Sequence, residues 1–396
     1  MASILVTDAE QRSTLAVARS LGRAGHRVVL TGVQARPLSG ASRYCSALVR
    51  VPDPQTSPEA FAQAVEAAVA EYSIDVLLPM TDVAAPLLLP FRDRHPDLIV
   101  PFPASDAYSL ASDKVRLADI AQEMGVPVPE QVIVSSPDAW DSQGAAALGD
   151  HVVVKPARSA ITVEGGVRKL SVVIVARDAV SGVLAELPPQ AYPVLVQRRV
   201  VGPGRGLFVL ASDGRMITTF AHRRVREKPP TGGVSVYREA QPVREDLLRY
   251  SARLIERLGW SGVAMVEFKE DVETGTPYLM EINGRFWGSL QLAVDAGVDF
   301  PRLLVDLFQG RESPGMSPLK QGVRSRWLWG DLDHLIWMLK TPRDVRALHP
   351  GLPSVLGAVG AFLLPWRPGD RFEVMRLSDP RPFLRETAQW FGSLMT

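Results

Sequence analysis

A mixed fold is predicted, α/β at the N-terminus, α+β through the middle and a helical extension at the C-terminus, and three observations carry it. Apolar runs alternate with stretches of helical spacing over residues 1–110. Strand signals then follow in series with few helical stretches between them, as antiparallel sheets require. Beyond residue 316 the chain becomes rich in tryptophan and in apolar helix formers.

Residues 3–7 form a short apolar run, Leu15, Ala16, Ala18 and Leu21 stand at helical spacing, and residues 26–31 form a second apolar run. This is a β-α-β opening. A helix over 59–72, a strand over 75–79 and a helix from Val83 continue the alternation, so a Rossmann-like domain is expected over 1–110. The turn after the first strand, TDAEQRS, has no glycine. A dinucleotide pyrophosphate needs close backbone approach there, so NAD and FAD are not expected ligands.

Residues 112–130, SDKVRLADIAQEMGVPVPE, predict a connecting helix capped by Ser112 and closed by Gly125. Strands are expected over 151–155, 171–176, 194–198, 207–211, 216–220, 262–269 and 278–283. One subdomain then covers 111–198, a second 199–315, and the extension 316–396. The extension carries Trp327, Trp329 and Trp337 near a charged cluster, then the uncharged run LPSVLGAVGAFLLPW over 352–366. That run is shorter than the roughly 20 residues a bilayer span needs. A buried core helix is expected, an interfacial helix is the alternative, and peripheral membrane contact is not favoured.

A chain of 396 residues exceeds what one hydrophobic core serves. Lys plus Arg number 44 against 43 Asp plus Glu, so no broad basic field exists to hold nucleic acid, and small-molecule partners are expected. The single cysteine, Cys45, excludes an intrachain disulfide and a cysteine-rich zinc site and suits a reducing compartment. It is not expected to be a nucleophile. The N-terminus turns polar after one short apolar run and does not read as a signal peptide, so a cytoplasmic protein is expected.

The densest chemistry lies in GVAMVEFKEDVETGTPYLMEINGRFWGS, two strands joined by a turn-forming stretch. Side chains alternate along a strand, so Val266 and Phe268 are expected to oppose Glu267, and Met280 and Ile282 to oppose Glu281 and Asn283. Two carboxylates and an amide then share one polar face, which suits Mg²⁺ completed by phosphates and waters. Lys155 ends a run of valines, where a buried strand fixes an ammonium that needs an anionic partner. Residues 156–170, with Ser159, Gly165 and Gly166, suit a mobile lid over phosphates.

With these motifs in order, the chain resembles the ATP-grasp superfamily, in particular its carbamoyl-phosphate-synthetase-like and carboxylate-amine ligase branches, over residues 1–312. EINGR at 281–285, Glu267 before it, Asp113-Lys114, Lys155-Pro156 and VLVQRRVVGPG at 194–204 carry the resemblance. It implies an ATP-grasp fold with a pre-ATP-grasp domain ahead of two ATP-clasping subdomains. It further implies that Lys114 and Lys155 hold ATP phosphates and that Gln197, Arg198 and Val200 face adenine. Glu267, Glu281 and Asn283 would bind Mg²⁺, with Mn²⁺ as a substitute. Arg285 would stabilise the phosphoryl group in transfer. The implied reaction joins a small carboxylate to an amine through an acyl phosphate, and a homodimer stays open. Bicarbonate or carbamate activation is the alternative within enzymes, and a nucleotide-binding scaffold held to a complex or membrane is the alternative outside them.

Two departures stand out: Arg198 and Arg199 occupy the hinge where many relatives place an acidic residue, and the lid carries Arg158, Glu164, Arg168 and Lys169 in place of dense glycine. Three further groups keep two readings each. In the stretch from His222 to Lys228, Arg223 and Lys228 belong either to an anion site or to a solvated basic strand end, Arg224 and the Thr231-Gly232-Gly233 turn are read as functional, with Arg224 a second catalytic cation, and His222 is read as structural. Asp82 either meets substrate beside Thr81 or caps the next helix. Arg324, Arg326 and Asp331 either reach substrate or tether the extension.

Overall fold

The computed structural model describes all residues except 231–232, 312–318, 348–351, 365–368 and 396. Four strands open the chain, β1 (Ser3–Val6), β2 (Arg27–Gly32), β3 (Ala47–Arg50) and β4 (Val76–Leu78), in a parallel sheet of order β3-β2-β1-β4. Helices Arg12–Arg23 and Pro58–Glu71 are the crossovers that such parallel pairs require.

The next sheet is antiparallel and joins β5 (Gln131–Val134), β6 (His151–Pro156), β9 (Val173–Ala176) and β10 (Val194–Arg198) in the order β5-β10-β6-β9. Valines alternate inward on β6 and β10, and Val152, Val154, Val194, Val196 and Leu184 form a core of their own. Between β6 and β9 a separate hairpin, β7 (Ala160–Val163) and β8 (Gly166–Lys169), stands where the lid was expected. Its tip is docked: Val167 N–H donates to Gln55 O at 2.6 Å, and a Cβ on Gly166 (φ +144°) would lie 2.0 Å from that oxygen. Only glycine allows this approach.

The largest sheet has seven strands: β11 (Gly204–Ser212), β12 (Arg215–Lys228), β13 (Val234–Gln241), β14 (Gly262–Glu270), β15 (Pro277–Asn283), β16 (Arg324–Arg326) and β17 (Asp370–Phe372), in the order β15-β14-β11-β12-β13-β16-β17. It shares its cores with the N-terminal domain. One cluster joins Leu5, Phe61 and Leu77 to Trp260, Val266 and Phe268, and another joins Ile4, Val6 and Leu21 to Phe208, Trp287 and Phe300.

The extension is woven into this body, since β16 and β17 add two strands to the large sheet. Asp379 accepts from Arg19 Nε at 2.9 Å and from Ser42 Oγ at 2.7 Å, locking the C-terminal segment to the first helix. Of the two readings of Arg324, Arg326 and Asp331, the tether is present, as Arg326 Nε to Asp331 at 2.6 Å, Arg226 Nε to Asp331 at 2.5 Å and Arg324 Nη2 to Glu239 at 2.7 Å.

Two local expectations are corrected. The connecting helix is Lys114–Glu123, capped by Asp113, whose carboxylate accepts from the Val115 and Arg116 N–H groups, while Ser112 ends the helix before it. The apolar run forms helix Val355–Leu363, but of its side chains Ala358 alone is buried, against Leu335 and Met338, and Leu356 and Leu363 face outward. A nine-residue helix with one packed face does not make core of its length; Pro365 and Trp366 lie outside the described residues. Among the described residues no helix is long and apolar enough to cross a membrane.

Candidate functional site

The β14–β15 hairpin sets the geometry. Glu267 stands directly opposite Glu281, as the register requires if both carboxylates leave the sheet on one face. The register then slips, so that Phe268 pairs with Leu279 and not Met280. This irregularity corrects the expectation for Met280. Leu279 joins Ile282 in the core, and Met280 turns to Lys155, whose Nζ lies 3.4 Å from its sulfur.

Around the two carboxylates the cations gather from four elements. Lys114, first residue of its helix and buried, donates to Ser159 Oγ at 2.8 Å and lies 3.6 Å from Glu281 Oε2. Lys155, on an interior strand, has its pKa brought down to about 8 by burial; Glu281 opposes the shift and Lys114 adds to it. Arg224 Nη2 donates to Glu267 Oε1 at 2.5 Å and its Nη1 to Glu227 at 3.0 Å. Burial raises the Glu267 pKa, Arg224 works against this, and Glu281 adds to it. Asn283 Nδ2 donates to Glu281 at 2.9 Å, while its Oδ1 accepts from Arg285 Nη2 at 3.1 Å.

Asp82 does not cap its helix. Thr81 Oγ1 accepts the Ala84 N–H at 3.1 Å, and Asp82 grips Arg285 through Nε at 3.1 Å and Nη2 at 2.8 Å. Burial disfavours the Arg285 cation, but Asp82, with Tyr108 and Glu281, raises its pKa above that of free arginine. The basic stretch also divides: Arg223 pairs with Glu239, Lys228 with Asp333 and Arg226 with Asp331, leaving Arg224 at the hairpin. Thr231 and Gly232 lie outside the described residues. His222 is buried, stacks on Phe208 with ring centroids 4.9 Å apart and shares a hydrogen bond with Ser289 Oγ at 2.8 Å. Burial, then Arg238 and Arg224, hold its pKa well below the usual value, so it is neutral, in line with a structural role. Burial pushes the Cys45 thiol up to about 11, which leaves no thiolate nucleophile.

Three cavities meet around the hairpin. One of about 150 Å³ lies between Val153, Lys155, Gln197, Val200 and Met280, so the hinge residues and the buried lysine do share a wall. Gln197 donates to Gln131 at 2.5 Å, and Arg198 pairs with Asp271 at 3.3 Å and lies over the Tyr278 ring. A second, of about 250 Å³, runs past Lys114, Ser159, Glu281 and Asn283 to Asp82 and Tyr108. The third, of about 150 Å³, lies beyond Arg224 and Arg285 against Trp287, Ser289 and Arg238. Sequence reasoning missed these last three residues, although Trp287 and Ser289 belong to the GRFWGS that ends the hairpin stretch.

Among the described residues no cluster of three or more His, Cys, Asp or Glu side chains gathers to hold a metal. Glu267, Glu281 and the Asn283 amide are hard oxygen donors too few for an all-protein cage, and they fit a divalent ion whose other ligands are phosphate oxygens and water.

The fold is of the ATP-grasp type. Residues 190–330 match the family model described as "ATP-grasp in the biosynthetic pathway with Ter operon". The chain is similar to a D-alanine--D-alanine ligase from Stutzerimonas stutzeri (strain A1501), 29% identical over 227 residues, covering 51% of this chain and 65% of that protein's length. Its structure is similar to the N5-carboxyaminoimidazole synthetase of Staphylococcus aureus, with TM-score 0.63 and 15% identity, covering 88% of this chain and 86% of that one. It is also similar to the biotin carboxylase domain of Hydrogenobacter thermophilus 2-oxoglutarate carboxylase, solved with MgADP, ADP and bicarbonate, with TM-score 0.63, 15% identity and coverage of 82% and 73%. These findings show an ATP-grasp fold, with the match to the family model lying within residues 190–330.

Proposed function

We propose that the protein is an ATP-dependent ligase that joins a small carboxylate to an amine and releases ADP and phosphate. The observation that carries this reading is the opposed pair Glu267 and Glu281, flanked by Lys114 and Lys155 on one side and by Arg224 and Arg285 on the other. A site that only held nucleotide would have no use for cations on both sides of its carboxylates.

In the reaction, adenine lies in the cavity walled by Gln197, Val200 and Met280, and its phosphates run along Lys155 and Lys114 towards the hairpin. Glu267, Glu281 and Asn283 would hold Mg²⁺, or Mn²⁺ in its place, and the ion would supply neutralisation of phosphate charge there. A carboxylate oxygen attacks the γ-phosphorus, the bond to the β-phosphate oxygen breaks, and ADP leaves. Arg285, oriented by Asp82 and Asn283, faces the charge on the transferring group. The amine then attacks the acyl carbon, phosphate departs with the bonding pair, and the nitrogen loses a proton. The D-alanine--D-alanine ligase similarity supports coupling of amino-acid-sized molecules, and the MgADP complex of the carboxylase domain supports the nucleotide assignment.

The test is ADP release with Mg-ATP across a panel of amino acids and small carboxylates, run beside Glu281→Ala. Substrate-dependent release that falls on the order of a thousandfold in the variant is expected. Equal turnover in both proteins would refute the site.

A further inference from the structure

Helix Val355–Leu363 breaks the rule that a surface helix turns polar side chains to water. Its sequence, VLGAVGAFL, holds no charged and no hydrogen-bonding side chain. A helix apolar all round is ordinarily covered on every side. Here one side is covered, where Ala358 packs on Leu335 and Met338 of helix Leu328–Lys340. Arg326 holds the far end, donating to Phe362 O at 2.9 Å with its guanidinium 4.5 Å from the centre of the Phe362 ring. The helix is therefore fixed to the body in one orientation. Leu356 and Leu363, seven residues apart and so on one stripe, lie on the side away from Ala358 and are 84% and 66% exposed; Leu364 after them is 75% exposed.

A protein partner and a bilayer span both fit this face poorly. Three leucines cover far less than the about 800 Å² per partner of a stable protein–protein interface. Nine residues make a helix about 14 Å long, short of the roughly 30 Å of hydrocarbon in a bilayer. That length suits a helix lying in the plane of a membrane surface, where leucines enter the acyl boundary and neighbouring cations meet anionic headgroups. Such cations flank it. From residue 340 to 371 the chain has Lys340, Arg343, Arg346, Arg367 and Arg371 against Asp344 and Asp370, with no acid from 345 to 369. Lys340, Arg343 and Arg346 form no ion pair among the described residues, whereas Arg226, Lys228 and Arg326 are all paired. The formal charge of the whole chain is +1, so this cluster is a local attraction and not part of a general basic field.

We propose that helix Val355–Leu363 docks the protein on an anionic lipid surface, with Leu356, Leu363 and Leu364 entering the acyl boundary and Lys340, Arg343 and Arg346 meeting lipid phosphates. The helix lines none of the three cavities around the hairpin, so this contact stands apart from the ligase reading.

The full chain is to be floated with vesicles of phosphatidylcholine, alone or mixed with phosphatidylglycerol. It is expected to rise with the mixed vesicles, to bind phosphatidylcholine alone on the order of tenfold more weakly, and to be released from the mixed vesicles as salt is raised. The double substitution Leu356→Gln with Leu363→Gln changes side chains that already stand in water, so its melting temperature should match the parent's while binding falls on the order of tenfold. Lys340→Gln with Arg343→Gln should weaken binding to the mixed vesicles severalfold and leave binding to phosphatidylcholine alone unchanged. The proposal is overturned if the parent floats with neither vesicle, if the leucine variant floats as well as the parent, or if the two lipid compositions bind alike. Sedimentation without lipid adds one more way to overturn it: a dimer that the leucine variant abolishes would assign the face to a second copy of the chain.

Discussion

Arg224 and Arg226 stand two residues apart on one strand and have opposite fates. Strict alternation would send both to the same face. Instead Arg224 pairs across the sheet with Arg238 and Arg226 with Tyr237, next to it in sequence, so Val225 is the extra residue of a bulge. One guanidinium therefore reaches Glu267 at the hairpin, and the other reaches Asp331 in the tether, over the Tyr237 ring. At the tether the chain supplies every partner itself: Asp331, 1% exposed, is shared by Arg226 and Arg326, and Arg326 also donates to Phe362 O at 2.9 Å. At the hairpin it does not. Lys155 is buried beside a sulfur, and Lys114 reaches Glu281 only at 3.6 Å. A closed charge network serves stability, and one left incomplete serves a ligand.

The largest effect should come from opening the closed network. Asp331→Asn strands two guanidinia and is expected to cost about 3–5 kcal/mol in denaturant unfolding, with ATP turnover per folded molecule preserved. If turnover collapses at full stability, the two regions are not separable as described.

The converse substitution, Arg285→Met, is expected to lower ATP turnover on the order of a thousandfold while the melting temperature barely moves. Asp82 is 39% exposed at its side chain and solvent can take over its charge. A large fall in melting temperature would put Arg285 with the tether.

Smaller effects concern titration. Burial pushes Glu386 up to about 7, against the hydrogen bond from Trp327 Nε1 at 2.8 Å. A carboxyl raised in the fold keeps its proton after the unfolded chain has lost it. Its stabilising contribution is therefore full below the ordinary value of 4.5 and is lost as pH rises through about 7. Unfolding free energy should drop by about 2–3 kcal/mol from about pH 5 to about pH 8, and Glu386→Gln should flatten that component. At the hairpin, Lys155 with its pKa near about 8 should keep ATP affinity level below that pH and weaken it up to about tenfold per unit above, as the ammonium is lost. Lys155→Met should bind weakly at every pH, without the slope; a slope that survives in the variant belongs to another group.

Much of this was legible in the sequence. The β-α-β opening, the valine strands at β6 and β10 and the hairpin were readable because periodicity and turn residues are local signals. Glu267, Glu281 and Asn283 could be grouped because one hairpin brings them together. Strand β13, the pairing of β16 and β17 and the docking of the extension on the first helix were not readable, since their partners lie far away in the chain.

By itself, then, the sequence determined the β-α-β opening, the valine strands and the carboxylates of the hairpin, all set by short-range patterns. Tertiary structure alone decided which charges close on each other and which stay open. It placed Asp82 on Arg285, Glu373 on Arg238 and Asp331 between two arginines, and through two bulges it chose the faces of Met280 and Arg226. The physical reason is that a one-residue slip in register reverses a side chain's direction without altering hydrophobicity or charge along the chain.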